Sequence, residues 1–329
     1  MRWAWLFKRL RLRRESRTRQ REKPGVATPQ TGIFSLGDAA HIYLEFTLKP
    51  GADPATFVKT VVDIHEPRTT VGGVNLVIGF RPELWRSVSA ATTPEKLTGF
   101  NAPITGPDGF VMPASQADLW FWIAGSSYDV VFDTARLAMV ALADVATVTS
   151  ELDGWSYRHS RDLTGFEDGT ENPALMIAPD IATIPDGEPG AGGSVLLYQQ
   201  WQHKHAVWEA LPDETQEKVI GRTKPDSVEL AEDVMPEDSH VTRTTVDQDG
   251  EERKIFRRNT AYGNATVFGT VFVGFAADQW RLQTMLERMA GVGDGVRDAL
   301  TRYSTPLTGS YYFIPSLQEL RRFATPEED

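Results

Sequence analysis

The chain has no cysteine among its 329 residues. That absence excludes disulfides, thiolate-ligated metal centres, iron–sulfur clusters and cysteine-based zinc sites. It also has no uninterrupted apolar run of about eighteen residues, so no segment reads as a membrane-spanning helix. Positive charge is scarce over most of its length: 34 Lys and Arg face 45 Asp and Glu, for a net charge of −11. Such an acidic body disfavours non-specific nucleic-acid binding.

The charge is uneven. Residues 1–23 hold ten basic side chains (Arg2, Lys8, Arg9, Arg11, Arg13, Arg14, Arg17, Arg19, Arg21 and Lys23) against Glu15 and Glu22, which leaves −19 for the remainder. Trp3, Trp5, Leu6 and Phe7 form a short apolar cluster ahead of the basic residues. A secretory signal has the opposite order and a longer apolar part, and no long apolar run follows Arg13-Arg14. Residues 1–28 are therefore read as a disordered basic extension or the product of a start codon placed too far upstream. The alternative is an arm for a membrane surface or an anionic partner. With neither export signal nor cysteine, a cytoplasmic location is expected.

The remainder is long enough to bury a large core as one big domain or two medium ones. Alternation and periodicity predict strands at Ala40–Leu48, Asn75–Phe80, Ala117–Ala124 and Ala146–Leu152. Helices are predicted at Asp53–Glu66 and Tyr128–Ala143, with a short extra one at Pro82–Ser89. That β-α-β-β-α-β order is the ferredoxin-like, split βαβ arrangement. A second half follows, with strands at Ser194–Gln202, His240–Val246, Lys254–Asn259 and Phe268–Ala276 and helices at Asp213–Gly221 and Asp278–Met289. Pro, Gly and Asp cluster at 178–193 as a loop. The expected class is α+β, with two ferredoxin-like modules at residues 29–160 and 161–329. The duplication rests on element order, since the two halves show no sequence repeat.

The stretch Gly165-Phe166-Glu167-Asp168-Gly169-Thr170-Glu171-Asn172-Pro173 is rich in turn residues. On its own it reads equally as a structural turn whose Asp bonds its own backbone. As a whole, however, the nonapeptide resembles the signature of the dye-decolorizing peroxidases, a heme enzyme family. Four further segments extend the resemblance in order. They are Gln216-Glu217-Lys218-Val219-Ile220-Gly221-Arg222-Thr223-Lys224; Ser239-His240-Val241; Lys254-Ile255-Phe256-Arg257 with Asn259 and Tyr262-Gly263; and Thr308-Gly309-Ser310-Tyr311-Tyr312-Phe313-Ile314-Pro315-Ser316. The match runs from about residue 29 to 320 and is most similar to the compact bacterial type B subgroup.

The resemblance implies one heme b per chain, held by the C-terminal module. It implies His240 as the iron ligand, with Asp298 of Arg297-Asp298-Ala299-Leu300 as the acceptor that orients it. The alternative for Asp298 is a surface helix acid beside Arg297. Asp168 and Arg257 are implied as the pair that moves a proton between peroxide oxygens and stabilises the departing charge. On a strand, Asn259 shares the Arg257 face and Arg258 takes the other. Arg222 pairs with a heme propionate or simply forms a surface ion pair.

The other histidines, His41, His65, His159, His203 and His205, read as structural or solvated. His203 and His205 share an H-x-H spacing that on a strand would put both rings on one face, but no third metal ligand is evident. His203 also matches a family histidine ahead of a Trp, here Trp208, although Lys204 replaces the usual acid. Trp155, Tyr157, Trp201, Trp208, Tyr262, Trp280, Tyr303, Tyr311 and Tyr312 are possible electron relays that sequence alone does not separate from core aromatics.

The implied activity is reduction of hydrogen peroxide through a ferryl intermediate, followed by one-electron oxidation of aromatic donors such as dyes and phenols. A heme-handling or iron-releasing protein is the alternative, and a heme-free ferredoxin-like binding module the third reading. Homo-oligomers are implied. The acidic end, Ala324-Thr325-Pro326-Glu327-Glu328-Asp329, lacks the apolar tail that docks some type B relatives inside encapsulin shells.

Overall fold

The computed structural model describes residues 27–64, 73–158 and 161–326. The basic head, His65, Glu66, His159 and the last three acidic residues lie outside the described residues. Fourteen strands occur among those described: β1 (Ala40–Leu48), β2 (Val74–Phe80), β3 (Ile104–Thr105), β4 (Val111–Met112), β5 (Leu119–Gly125), β6 (Ala146–Trp155), β7 (Ser194–His203), β8 (Asp247–Gln248), β9 (Glu251–Glu252), β10 (Phe256–Arg257), β11 (Thr260–Gly263), β12 (Phe268–Ala276), β13 (Ser304–Pro306) and β14 (Ser310–Ile314). β3 with β4 and β8 with β9 form two small separate ribbons.

The other strands form one antiparallel sheet that closes on itself. Its order runs β12-β11-β6-β1-β5-β2-β14-β7, and β7 pairs again with β12 from Ala276↔Val195 to Gly269↔Gln202. The result is a closed ring of eight strands, with β10 and β13 attached at its edges. The fold is thus a mixed α/β arrangement around a barrel.

Closure leaves strands such as β5 buried on both faces, although β6 keeps much of one face exposed, and side chains sort by period two. Tyr43, Trp120, Trp122, Leu196, Tyr198, Val271, Val273, Phe275, Tyr312 and Ile314 share the interior cluster. Their sequence neighbours Ile42, Leu44, Leu119, Phe121, Ile123, Val195, Leu197, Tyr311 and Phe313 belong to a second cluster that meets the helices. This double burial explains why β5 reads as a continuous apolar run rather than an alternating one. The helix Tyr128–Leu142 contributes Val131, Thr134, Ala135, Ala138 and Leu142 to that outer layer, a helical repeat. The helix Gln279–Met289 contributes Leu282, Met285, Leu286 and Met289. It starts where Asp278 caps it by accepting from the Arg281 N–H at 3.1 Å.

Most predicted elements fall within a few residues of those observed, but the predicted strand His240–Val246 is a correction. Residues His240–Thr244 form a short helix, because buried Ser239 caps its start and its side chain accepts from the Thr242 N–H. The run of β-branched residues (Val241, Thr242, Thr244, Thr245 and Val246) gave the strand signal. In the structure the hydroxyls of Thr244 and Thr245 turn back to the carbonyls of His240 and Val241 at 2.7 and 2.9 Å, satisfying the helix end locally. The predicted strand Lys254–Asn259 shortens to β10. Pairing register continues from Phe256↔Phe275 to Thr260↔Val271, but between them the Asn259 side-chain oxygen takes the Val273 N–H at 3.2 Å.

Closure depends on close approach of β7 and β12. A Cβ on Gly269 would lie 1.8 Å from the Trp201 carbonyl oxygen, a backbone atom that cannot rotate away. Gly269→Ala is therefore expected to lower stability by about 1–3 kcal/mol, read as a shift in urea midpoint. An unchanged midpoint would show that the two strands separate freely.

Candidate active site

Below the barrel a cavity of about 210 Å³ lies between the sheet and two helices. Phe272 of β12, Ile255, Met285, Leu286 and Met289 give it apolar walls, while Asp168, Arg257, Asn259 and His240 bring polar groups to it. Each of these four arrives by a different local device.

His240 opens its capped helix. Its Nδ1 lies 2.6 Å from Asp298 Oδ2, and Asp298 has no exposed surface. The other carboxylate oxygen of Asp298 accepts from the Leu300 N–H at 2.8 Å, and the Asp298 N–H donates to the Met289 carbonyl at 3.0 Å. The acid is thus fixed by the backbone on both sides of the helix end, and the surface-acid alternative is excluded. When Nδ1 donates to this carboxylate, the neutral ring carries its lone pair on Nε2, and His240 lines the cavity. Arg243, 2% exposed, anchors the same helix through both oxygens of Asp294 at 3.0 and 2.8 Å and through the Arg288 carbonyl at 2.9 Å.

Asp168 sits between Gly165 and Gly169, whose φ values of 94° and 86° are the left-handed turns that bring the loop back on itself. Arg161 fastens this loop from below, donating to the carbonyls of Gly165, Lys224 and Pro225 at 2.7, 3.1 and 2.8 Å. Asn172 fastens it to the sheet. Its amide donates to the Arg257 carbonyl and accepts from the Arg257 N–H, both at 2.8 Å, in place of a neighbouring strand. Asn259 donates to Asp168 Oδ1 at 3.3 Å. The Arg257 guanidinium makes no hydrogen bond or ion pair among the described residues and lines the cavity. Arg258 takes the other face, 5.0 Å above the Trp122 ring and donating to the Ile33 carbonyl at 2.8 Å.

Arg222 and the two histidines of the H-x-H spacing are placed by tertiary partners. Arg222 reaches the cavity wall, where its Nη2 meets Glu171 at 2.5 Å and Glu229 at 3.0 Å and its Nη1 donates to the Ser227 carbonyl at 2.8 Å. The ion pairs of that alternative are therefore present. His203 and His205 do not share a strand face: β7 ends at His203, and His205 begins the helix His205–Glu209. Burial pushes the His203 imidazole down to about 4, and its Nε2 meets the Thr270 hydroxyl at 3.1 Å. No cluster of metal-ligating side chains occurs among the described residues.

Sequence reasoning missed Asp162, which lines the same cavity. Its Oδ1 accepts from the Thr164 N–H at 2.9 Å and from the Thr164 hydroxyl. Burial, with a further contribution from the Asp168 charge, raises it to about 6. An Arg-Asp dipeptide carries no local signal for this, because the shift comes from tertiary neighbours.

The whole chain can now be set against known proteins. Residues 30–156 match the Dyp-type peroxidase N-terminal family model, and residues 159–319 match the C-terminal one. The chain belongs to the Dyp-type peroxidase family. It is 35% identical over 314 residues to a dye-decolorizing peroxidase of Mycobacterium tuberculosis, covering 90% of each chain. It is 34% identical over 301 residues to one of Rhodococcus erythropolis, covering 88% of this chain and 87% of the relative. Among solved structures it resembles DyPB of Rhodococcus jostii RHA1 at a TM-score of 0.81 and 36% identity, covering 89% of this chain and 97% of that one. The family's two-part model divides near residue 157, within the segment that leaves β6 and enters the Asp168 loop.

The raised acid at Asp162 has a measurable consequence. A carboxyl whose folded-state pKa exceeds its unfolded value gives stability that is present at low pH and lost as pH rises through about 6. Asp162→Asn keeps the acceptor for Thr164 and removes that loss. In cofactor-free protein the variant should match the parent near about pH 4 and exceed it by roughly 2 kcal/mol near about pH 8, read by urea denaturation. A gap of equal size at both pH values would contradict the assignment.

Proposed function

We propose that the cavity binds one heme b and that the protein reduces hydrogen peroxide there, then oxidises aromatic donors by single electrons. The observation that carries this reading is the set of groups around one apolar cavity. An imidazole has its Nδ1 fixed by a buried acid, and an unpaired guanidinium lies with an amide-bound carboxylate. The fit to heme is chemical. Nε2 of His240 is the bare donor, Phe272, Leu286 and Met289 offer apolar walls for a flat ring, and the family relatives are peroxidases. The heme supplies the redox chemistry when bound.

The protein's own groups supply the rest. Asp298 holds His240 as a strong donor, because a charged acceptor on Nδ1 raises the basicity of Nε2. Asp168, held by Asn259, is the site that takes a proton from one peroxide oxygen and returns it to the other. Arg257 offers a cation that pairs with no carboxylate among the described residues, placed for the negative charge that develops as the O–O bond lengthens. Asp162 stands beside Asp168 as a second, less acidic carboxyl. Arg222 serves as an ion-paired wall through Glu171 and Glu229. Simple heme carriage or iron release requires none of the Asp168, Arg257 and Asn259 group, so that alternative is not favoured.

The barrel supports the expected duplication. In β6-β1-β5-β2 and in β14-β7-β12-β11 the last strand of each run sits beside its first, and its third beside its second. Both are the ferredoxin-like order, which favours modules at 29–160 and 161–329 with heme held by the second. No helix among the described residues is long and apolar enough to cross a membrane.

The test mixes heme-loaded protein rapidly with peroxide and follows the heme absorbance. Asp168→Ala and Arg257→Leu should each slow the response by about 10²–10⁴-fold, while Arg258→Ala leaves it near the parent rate. The reverse pattern would move the peroxide site to the other face of the strand. Asp298→Asn should raise the heme reduction potential and weaken heme retention or activity by about 10–100-fold. A potential equal to the parent's would mean that the acid only positions the ring.

A further inference from the structure

The barrel interior holds an acid that the peroxide chemistry does not use. Glu45 of β1 is 3% exposed, and its Oε1 accepts from the Tyr312 hydroxyl at 2.5 Å and the Ser310 hydroxyl at 3.1 Å. Burial pushes this carboxyl up to about 7. Around it the interior is packed with aromatic rings in contact. Tyr312 stacks on Trp120 at 6.2 Å between centroids, Trp120 meets Tyr43 at 6.2 Å, and Tyr43 stacks on Trp122 at 6.3 Å. Trp122 lines a second cavity, of about 540 Å³, whose wall also contains Asp168, Arg257 and Asn259. A continuous series of rings therefore connects Glu45 to this second cavity, which shares Asp168, Arg257 and Asn259 with the first.

The four rings differ in what can take their proton. Removing an electron from a phenol or indole makes its O–H or N–H strongly acidic, and a charged radical in a low-dielectric interior is costly. Trp120 Nε1 has no hydrogen-bond partner among the described residues. The Tyr43 hydroxyl meets only the Thr260 hydroxyl, at 3.0 Å, which is no base. Trp122 Nε1 donates to His41 Nδ1 at 3.1 Å, but burial and the Arg258 charge disfavour an imidazolium there and hold His41 down to about 4. Of the four, only Tyr312 faces a carboxylate, and protonating that carboxylate removes a buried charge instead of creating one.

We propose that Tyr312 and Glu45 form an internal proton-coupled radical site. One electron leaves the Tyr312 ring, passes by way of Trp120, Tyr43 and Trp122, and reduces the peroxide-oxidised cofactor by one equivalent. The Tyr312 O–H bond breaks and its proton moves to Glu45 Oε1, leaving a neutral tyrosyl radical beside a neutral carboxylic acid. Return of one electron from a donor, with the proton returning from Glu45, restores the pair. The site holds an oxidising equivalent inside the barrel when no donor is at hand. This inference rests on the peroxidase reading.

The test freezes heme-loaded protein shortly after adding one equivalent of hydrogen peroxide without donor, and records the electron paramagnetic resonance spectrum. The parent protein should show a radical signal that narrows when its tyrosines carry ring deuterium. An infrared difference spectrum should gain a protonated carboxyl band with it. Tyr312→Phe should lose the tyrosyl signal, and Glu45→Gln, which keeps shape but accepts no proton, should lower its yield at least about tenfold. A tyrosyl signal unchanged in either variant overturns the proposal. So does a parent whose heme absorbance responds to peroxide without a tyrosine-derived radical, and that outcome leaves the peroxidase reading intact. A heme absorbance that never responds overturns both. The labelled parent decides by itself whether a tyrosine holds the radical, so a variant that fails to fold does not shelter the idea.

Discussion

Closure of the sheet through β7 and β12 is the constraint on which the rest of this molecule depends. Once eight strands join in a ring, their residues alternate between the interior and the outer face, which is apolar where helices cover it and exposed along much of β6. On β12 this alternation couples the two halves of the chemistry. Val271, Val273 and Phe275 fill the barrel, while Thr270 and Phe272 line the cavity that also holds His240, Asp168 and Arg257. The same period separates Arg258, stacked on interior Trp122, from Arg257 at the cavity.

Around that frame the site is assembled by side chains that replace backbone pairing. Asn172 bonds both the N–H and the carbonyl of Arg257, so the Asp168 loop behaves as a substitute strand. Asn259 takes the Val273 N–H with its oxygen and offers its nitrogen to Asp168. On the other side, Asp298 joins the end of the helix Gln279–Met289 to His240, and Arg243 holds the His240 helix against the Arg288 carbonyl and Asp294. Some links bond a neighbour's backbone, as at Arg257, and others bond the side chain directly, as at His240 and Asp168.

Much of this was legible in the chain. The long strands and helices carry strong periodicity, and the Asp168, His240, Arg257 and Asn259 segments are ordered motifs whose residue types suit peroxide and heme chemistry. The His240 segment was misread as a strand because β-branched residues dominate it, and the outcome turned on one cap, Ser239, and on threonine hydroxyls bonding backward. Arg222 gave no sign in sequence of its ion pairs with Glu171 and Glu229. Asp162 and Glu45 gave no signal at all. A carboxyl becomes unusual only when distant residues strip away its water, and Asp162 is 6 residues from Asp168 while Glu45 is 267 from Tyr312.

The sequence by itself determined which chemistry is available: no cysteine ligation, a histidine, a carboxylate and a guanidinium in ordered motifs, and one β-α-β-β-α-β run of strands and helices in the first half. These are properties of residue type and local period, which the chain carries before it folds. The tertiary structure alone decided which groups remain free and which are spent. Among the described residues Arg257 stays unpaired while Arg222 is held by Glu171 and Glu229, Asp298 becomes a buried partner instead of a surface acid, and Tyr312 acquires a carboxylate partner where Trp120 has none. Those outcomes depend on distance, burial and competition among partners far apart in sequence, which exist only once the barrel has closed.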